Sequence, residues 1–191
     1  MTKSPRVPPI PPEAWSPEAR EAYEVLNSSA TKTLGASSNM SMTLANHPKL
    51  AKAYYTLGRH LLLESTVSHR LRELLTLRIG WRYKSGYEWY HHVRFGLRIG
   101  LSHEEIEAVK TGPDAAVWGP ADRCVLKVTD QLCERGAIED AVWNELCTHL
   151  DRQQAMDLIY TIGHYVMTAW AISAFGVQIE LGFDSAEHPL G

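Results

Sequence analysis

The sequence is poor in the residues that thiol chemistry and metal clusters require. Among its 191 residues are three cysteines, Cys124, Cys133 and Cys147, an odd number that never forms a C-x-x-C pair. A disulfide framework or a cysteine-ligated zinc site is therefore not expected. Free thiols of this kind suit a reducing compartment, so we predict a cytoplasmic protein.

A large excess of charge of one sign is also absent. Lys and Arg number 19 against 22 Asp and Glu, the net charge is -3, and no basic cluster stands apart from the mixed-charge segments. Binding to nucleic acid or to an acidic lipid surface depends on concentrated positive charge. Neither is therefore predicted as a partner. The first twenty residues lack the apolar run of a secretory signal.

Alternation of apolar and polar residues over a useful length, the pattern of a strand, is missing as well, whereas helical spacing recurs. Leu50, Tyr54, Leu57 and Leu61 share one helical face. Helix starts are predicted at four polar residues with favourable following residues: Ser16, Asn46, Ser68 and Ser102. The predicted fold class is all-α, and the length suits a single domain.

Three segments are predicted along the chain. Residues 1–30 form a proline-rich N-terminal arm and a first helix, residues 31–184 form the helical domain, and residues 185–191 form a C-terminal tail. The prolines favour an extended arm that lies over the surface of its own or a neighbouring subunit.

A long apolar segment from Leu158 to Val177 belongs to a helix predicted from about Arg152 to about Leu181. Its length matches a membrane span. However, His164 interrupts the segment, and no Lys or Arg follows Arg152 to mark a cytoplasmic end. We predict a helix that is buried all round at the centre of a homo-oligomer, with no membrane as partner.

The stretch from Arg70 to Gly100 concentrates the residues that could carry chemistry. Glu73 lies within an apolar run, and Glu88 and His92 are four residues apart in the next predicted helix. That spacing puts the carboxylate and the imidazole one turn apart on the same face, where they can form a hydrogen bond. Such a pair can transfer protons near neutral pH, because burial raises the pKa of a glutamate towards that of histidine.

These residues resemble a known family. The pattern R-E-L-x-x-L-R, followed by S-G-Y-E-W-x-x-H-x-R and a G-L-S turn, is similar to the carboxymuconolactone decarboxylase family, whose other branch is alkylhydroperoxidase D. The peroxidase branch has a Glu, two Cys and a His, and this chain has Glu73, Ser85, Glu88 and His92 in their places. The likeness runs from about Leu44 to Gly182. It implies an alkylhydroperoxidase D-like helical bundle that assembles as a dimer, trimer or hexamer.

The resemblance also bears on the reaction. Thiol peroxidation is not favoured, because both redox cysteines are replaced. A cofactor-independent lyase (decarboxylase) or isomerase acting on a small organic acid or lactone, in aromatic catabolism, has no need of them. His92 would move the proton, with Glu73 or Glu88 setting its tautomer or acting as the acid. Arg78 or Arg82 would hold a carboxylate or enolate.

Other candidates for substrate binding are Ser85, Tyr87 and, by resemblance, Met42. No metal or cofactor is predicted, since Glu88 and His91 form the only E-x-x-H in the central stretch and carboxylate-bridged di-iron bundles use two. Several alternatives stay open. The protein could be an alkylhydroperoxidase-like antioxidant or a non-catalytic oligomer that binds a small molecule. Glu73 could be a structural ion-pair partner of Arg70 or Arg78, and Ser85 only a helix cap.

Overall fold

A computed structural model describes residues 4–26, 38–180 and 188–191, and within these ranges the chain contains helices and no strand. A short 3-10 turn, Pro12–Ala14, precedes the first α-helix, and a π turn, His60–Glu64, extends the third. The α-helices are α1 Pro17–Glu24, α2 Asn39–Leu44, α3 Pro48–Arg59, α4 His69–Arg82, α5 Gly86–Arg98, α6 His103–Thr111, α7 Pro120–Arg135, α8 Asp140–His149 and α9 Arg152–Phe175. The all-α prediction is confirmed.

The chain divides into two compact units. One comprises residues 1–65 and 171–182, and the other comprises residues 66–170 and 183–191. The segment boundaries predicted at residues 30 and 184 fall in ranges outside the described residues and stay a prediction.

The first unit contains α1, α2 and α3. The Ser16 side chain caps α1 by accepting a hydrogen bond from the backbone N–H of Ala19, as predicted. The proline-rich arm lies along its own chain, because the backbone N–H of Arg6 donates to the carbonyl of Phe175 at 2.7 Å. The arm is therefore held by backbone hydrogen bonds as well as by the stiffness of its prolines.

The predicted cap of α3 was wrong by one residue. His47 is the N-cap, and its Nδ1 atom accepts a hydrogen bond from the backbone N–H of Leu50. The Asn46 side chain donates instead to the carbonyls of Thr43 and Pro8. Asn46 thus closes the end of α2 and contacts the arm, so its side chain is not available to cap the following helix.

In the second unit α4 is enclosed on all sides. Every residue from 71 to 80 is buried. One face of α4 packs into an apolar cluster with α7, α8 and α9 through Leu71, Leu75 and Ile79, and the other packs against α5, α6 and α7 through Leu74 and Leu77. Charged residues on α4 are consequently surrounded by protein, where each requires a specific polar partner.

The last helix is shorter than predicted. It ends at Phe175, because Gly176 adopts a left-handed conformation with φ of 72° and the following residues to 180 are not helical. Within a single chain one side of this helix is exposed, where Tyr160 and Trp170 are 61% and 59% accessible, and its burial in a homo-oligomer stays a prediction. Among the described helices α9 alone has the length and composition of a membrane span, a test that core helices of soluble proteins also meet.

Candidate active site

The site is built where α5 starts against the middle of α4. Gly80 makes this close approach possible, since a Cβ atom at this position would lie 3.2 Å from the backbone nitrogen of Trp89. The backbone N–H of Ser85 donates to the carbonyl of Gly80 at 2.9 Å and anchors the turn between the two helices. This packing sets the first two turns of α5 alongside the buried polar residues of α4.

Glu73 and His92 form the central pair. The Nδ1 atom of His92 lies 2.6 Å from Oε2 of Glu73, and the two side chains are 12% and 6% exposed. A carboxylate can only accept, so Nδ1 of His92 is the donor and a neutral ring keeps its lone pair on Nε2. The predicted role of Glu73 in setting the histidine tautomer therefore agrees with the geometry, whereas the hydrogen bond expected between Glu88 and His92 is not formed.

Arg72 and His69 extend this pair along α4, and sequence reasoning missed both. Arg72 is buried, its Nε lies 3.7 Å from Oε1 of Glu73, and its Nη2 lies 2.6 Å from Nδ1 of His69. A guanidinium is always charged, so Arg72 is an ion-pair partner of the Glu73 carboxylate. The available signal was positional, because Arg72 directly precedes Glu73 and follows His69 by three residues on one helix.

Two residues of α9 complete the surroundings of His92 and were likewise missed. The rings of His92 and Tyr165 are perpendicular, with centroids 5.1 Å apart, and Tyr165 contacts His164 in turn at 5.7 Å. Burial lowers the pKa of His164 to about 4, so this imidazole is neutral at physiological pH. Periodicity alone could not find them, because both lie in a continuous apolar run.

Glu88 lies in the first turn of α5 in an environment that disfavours charge. Only 3% of the residue is exposed, and burial raises its pKa to about 8, with the Ser85 hydroxyl opposing this in part. Neither carboxyl oxygen has a hydrogen-bond partner of standard geometry in the described part of the chain, and the same holds for the Ser85 hydroxyl. At neutral pH Glu88 is therefore mostly an uncharged carboxylic acid.

The two arginines predicted to hold a substrate are engaged elsewhere. Arg78 donates to both carboxylate oxygens of Asp130, at 2.7 and 2.9 Å, and to the carbonyls of Val109 and Lys110. Arg82 donates to the same aspartate at 3.2 Å. These bonds use four of the five N–H groups of the guanidinium and join α7 to the end of α6, so this geometry does not favour Arg78 as a substrate ligand, and that role stays a prediction. Arg82 is more exposed but shares that ion pair.

The remaining candidates have separate positions. Tyr87 is buried and its ring lies 4.4 Å from that of His91, so His91 is directed along a different side of α5 from His92. Met42 lies in α2, in the other compact unit, and its role in binding stays a prediction. Within the described ranges no three His, Cys, Asp or Glu side chains are placed to hold a metal ion.

The cysteines lie outside the site. Cys124 is buried, Cys133 is partly buried and Cys147 is exposed, and all three are free. Burial raises the pKa of Cys124 and of Cys133 to about 11. Both thiols are therefore protonated at neutral pH and are poor nucleophiles.

Comparison with known proteins agrees with the sequence resemblance. Residues 48–131 match the sequence model of the carboxymuconolactone decarboxylase family. No curated protein matches the chain significantly. The matched segment contains Glu73, Ser85, Glu88 and His92, whereas Tyr165 and His164 of α9 lie outside it.

Several solved structures share the fold. An uncharacterized peroxidase-related protein of Ralstonia eutropha JMP134, described as an alkylhydroperoxidase AhpD core, is 16% identical with a TM-score of 0.78, over 96% of each chain. A peroxidase-related protein of Silicibacter sp. TM1040 is 19% identical with a TM-score of 0.77, over 96% of this chain and 97% of that one. A variant of the debrominase Bmp8 in complex with 2,3,4-tribromopyrrole is 15% identical with a TM-score of 0.77, over 96% of each chain.

At these identities the structures demonstrate a common fold and leave the reaction open. Residues 48–131 are therefore similar to the carboxymuconolactone decarboxylase family, and the shared helical architecture shows that the chain has an alkylhydroperoxidase D-like fold.

Proposed function

We propose that the protein is a cofactor-independent lyase or isomerase that uses acid-base chemistry on a small organic acid or lactone. The observation that carries this proposal is the buried hydrogen bond of 2.6 Å between His92 and Glu73. It orients the imidazole and leaves Nε2 able to take a proton from carbon and return it, as a general base and acid must. Arg72 forms an ion pair with the same carboxylate at 3.7 Å.

A structural ion pair would serve a different purpose. In a charged pair that holds this unit together, Arg78 donates hydrogen bonds to both carboxylate oxygens of Asp130. The Glu73 and His92 pair instead lies on the same helices as Glu88, whose buried oxygens make no hydrogen bond of standard geometry in the described part of the chain. Polar groups left unsatisfied in this way are more typical of sites that await a ligand than of scaffold.

The antioxidant alternative receives less support. A thiol peroxidase needs a reactive thiolate and a resolving thiol, and Ser85 and Glu88 occupy the two places where the peroxidase branch carries them. The debrominase neighbour is bound to a small brominated ring, so brominated pyrroles belong among the compounds to be tested. Binding without catalysis is the second alternative. It predicts that the wild type has no turnover and that His92→Ala binds the small molecule with unchanged affinity.

The test is a turnover screen with unsaturated dicarboxylic acids and lactone acids, followed by NMR for loss of CO₂, migration of a double bond or uptake of solvent deuterium. His92→Ala and Glu73→Gln should each lower turnover by about 100-fold or more, because each removes the general base or its orienting partner. A variant with all three cysteines replaced by serine is the matched control and should keep full activity.

Two outcomes would contradict the proposal. One is a panel in which the wild type neither converts a compound nor exchanges its carbon-bound protons. The other is activity that survives in His92→Ala but disappears in the cysteine-free variant, which would establish thiol-dependent chemistry instead. Melting curves of the His92 and Glu73 variants show whether a loss of turnover reflects unfolding.

Self-association through α9 forms part of the proposal. Its exposed positions, Met156, Tyr160, Gly163, Met167 and Trp170, are separated alternately by four and three residues. This repeat is the spacing of a helix that packs lengthwise against another helix, and a second copy of α9 supplies the same seam. Trp170→Glu should convert the oligomer to a monomer in sedimentation velocity. Trp143→Glu, an exposed tryptophan on α8, is the control; equal assembly of both variants would contradict the seam.

A further inference from the structure

The first turn of α5 carries a sequence motif that it does not use in the usual way. Ser85 is the N-cap and Glu88 stands three residues later, which is the spacing of a capping box. In a capping box the serine accepts from the backbone and the glutamate reaches back to the N-cap N–H. Here the Ser85 side chain makes no capping bond, and the backbone N–H of Ser85 donates to Gly80. The Ser85 and Glu88 side chains therefore do not form the capping box that their spacing predicts.

Both groups are also buried. Ser85 is 5% exposed and Glu88 is 3% exposed. The Ser85 hydroxyl lies close enough to Glu88 to lower its pKa in part, but the contact lacks the geometry of a hydrogen bond, and the three oxygen atoms have no other partner among the described residues. Leaving such groups unsatisfied costs about 1–3 kcal/mol each. A site that binds a polar atom of a ligand would recover that cost, since the hydroxyl and the carboxylic acid can both donate to it.

The placement of the two groups relative to His92 indicates which atom they would bind. Ser85, Glu88 and His92 follow one another at intervals of three and four residues, so they line one face of α5. His92 is the proposed base, and the donors lie one and two turns before it. This is the arrangement required when a proton leaves carbon at one point and negative charge develops on an oxygen a few ångströms away.

We propose that Ser85 and the protonated Glu88 form an oxyanion-binding pair, and that the substrate is a carbonyl compound which reacts through an enolate. This inference rests on the proposed function and specifies its substrate class. His92 removes a proton from the carbon that lies between the carbonyl group and a carbon–carbon double bond; the electron pair of the C–H bond becomes a new C=C bond, and the π pair of the carbonyl moves onto its oxygen. Ser85 and Glu88 donate hydrogen bonds to that oxygen. His92 returns the proton to the far carbon of the original double bond as the carbonyl re-forms, so the product is an isomer and no oxidant or reductant is consumed.

The electrostatics of the site are consistent with this role. A carboxylic acid can donate to an oxyanion only while it keeps its proton, and burial raises the pKa of Glu88 to about 8. Among the described residues the Ser85 side chain opposes this increase, and within the same ranges no cation or second carboxylate contributes to it. Glu73, the other carboxylate of the site, is engaged by His92. Because the oxygens of Glu88 are enclosed, a ligand reaches them only after neighbouring side chains move aside.

The test uses 4-nitrophenolate, an enolate mimic whose visible absorbance reports binding and which undergoes no reaction. The wild-type protein should bind it at about pH 7 and lose affinity as the pH rises towards about 10, because Glu88 ionises in this range and then repels the anion. Ser85→Ala and Glu88→Ala should each weaken binding about 10-fold. Glu88→Gln keeps a neutral donor, so it should retain binding and lose the decline with pH.

Matched controls separate this inference from the proposed function. Glu105→Gln alters the equivalent position of α6 and should bind the probe as the wild type does. His92→Ala should also bind the probe, because the oxyanion pair does not depend on the base. Absence of phenolate binding to the wild type overturns the inference, as does equal binding by Glu88→Ala, or a decline with pH that persists in Glu88→Gln. If the variants bind the probe as expected but the wild type converts no carbonyl compound, the oxyanion pair is supported and the proposed function is contradicted.

Discussion

Two helix starts in the same unit have the same sequence pattern, but only one of them forms the capping box that the pattern predicts. The α6 helix begins with Ser102 and Glu105, and the α5 helix begins with Ser85 and Glu88, each a serine followed three residues later by a glutamate. At α6 the box closes: the Ser102 hydroxyl accepts from the backbone N–H of Glu105, and the Glu105 carboxylate accepts from that of Ser102 at 2.8 Å. At α5 neither bond forms.

The surroundings account for the difference. Glu105 is near the surface and has a cation, Arg70, in contact with its carboxylate, so its pKa is lowered, chiefly by the Arg70 hydrogen bond. Glu88 is enclosed, and no cation in the described part of the chain offsets the effect of burial, which raises its pKa. The same local pattern is therefore a structural cap when its polar groups find the backbone, and a candidate site when they are held away from it. Buried polar groups that make no hydrogen bond at a helix start therefore indicate a candidate site better than the serine–glutamate pattern itself does.

The largest effect that would sharpen this comparison is on stability. Glu88→Gln should raise the melting temperature by about 5 °C or more near pH 8, because the folded state no longer has to keep a carboxyl protonated against solution. The pKa of Glu88 is higher in the folded than in the unfolded chain. Its penalty is therefore absent below about pH 4.5, grows as the pH rises to about 8 and is constant above that. Thermal melts of the wild type and of Glu88→Gln at several pH values would measure how this destabilisation increases with pH.

The matched control for that prediction is Glu105→Gln. It should lower the melting temperature, because it removes a satisfied cap and the partner of Arg70, at a cost of about 1 kcal/mol. Opposite signs for the two substitutions would establish that the two helix starts differ in kind. A gain in Glu88→Gln that is the same at about pH 4 and about pH 8 would show that Glu88 is not buried as a protonated acid.

A smaller effect distinguishes the two serines. Ser102→Ala should lower the unfolding free energy by about 1 kcal/mol, the usual value of a helix cap, whereas Ser85→Ala should raise it by about 1 kcal/mol, because it removes a buried hydroxyl that makes no capping bond. Urea unfolding of both variants measures the difference, provided that the slope of the transition is unchanged. A loss in Ser85→Ala as large as that in Ser102→Ala would mean that Ser85 serves as an ordinary cap, and the comparison would fail.

Much of the fold followed from local chemistry. Capping by Ser16, Ser68 and Ser102 was predicted correctly, because a serine before a helical run has one dominant partner, the backbone N–H two or three residues on. Asn46 was assigned incorrectly because two adjacent residues, Asn46 and His47, could both cap α3. The choice depended on the arm, whose Pro8 carbonyl accepts from Asn46 and is far away in sequence.

The candidate site illustrates the same division. Glu73, Glu88 and His92 were identified from spacing and family likeness, yet spacing suggested the pair Glu88 and His92, while packing of α4 against α5 joins His92 to Glu73. The charged partners were harder still. Arg72 and Arg78 both flank Glu73 in the sequence, and only the positions of α6 and α7 decide that Arg78 belongs to Asp130 and Arg72 to the site.

The sequence by itself determined the helical class, most helix starts and the residue types available for chemistry, because these depend on contacts within a few residues. The tertiary structure decided which of those residues are buried, which are paired and which carry charge. Glu88 and Glu105 have almost the same local context, and only the protein packed around each makes one a neutral acid and the other a cap. Desolvation and ion pairing depend on neighbours distant in sequence, and local patterns do not encode them.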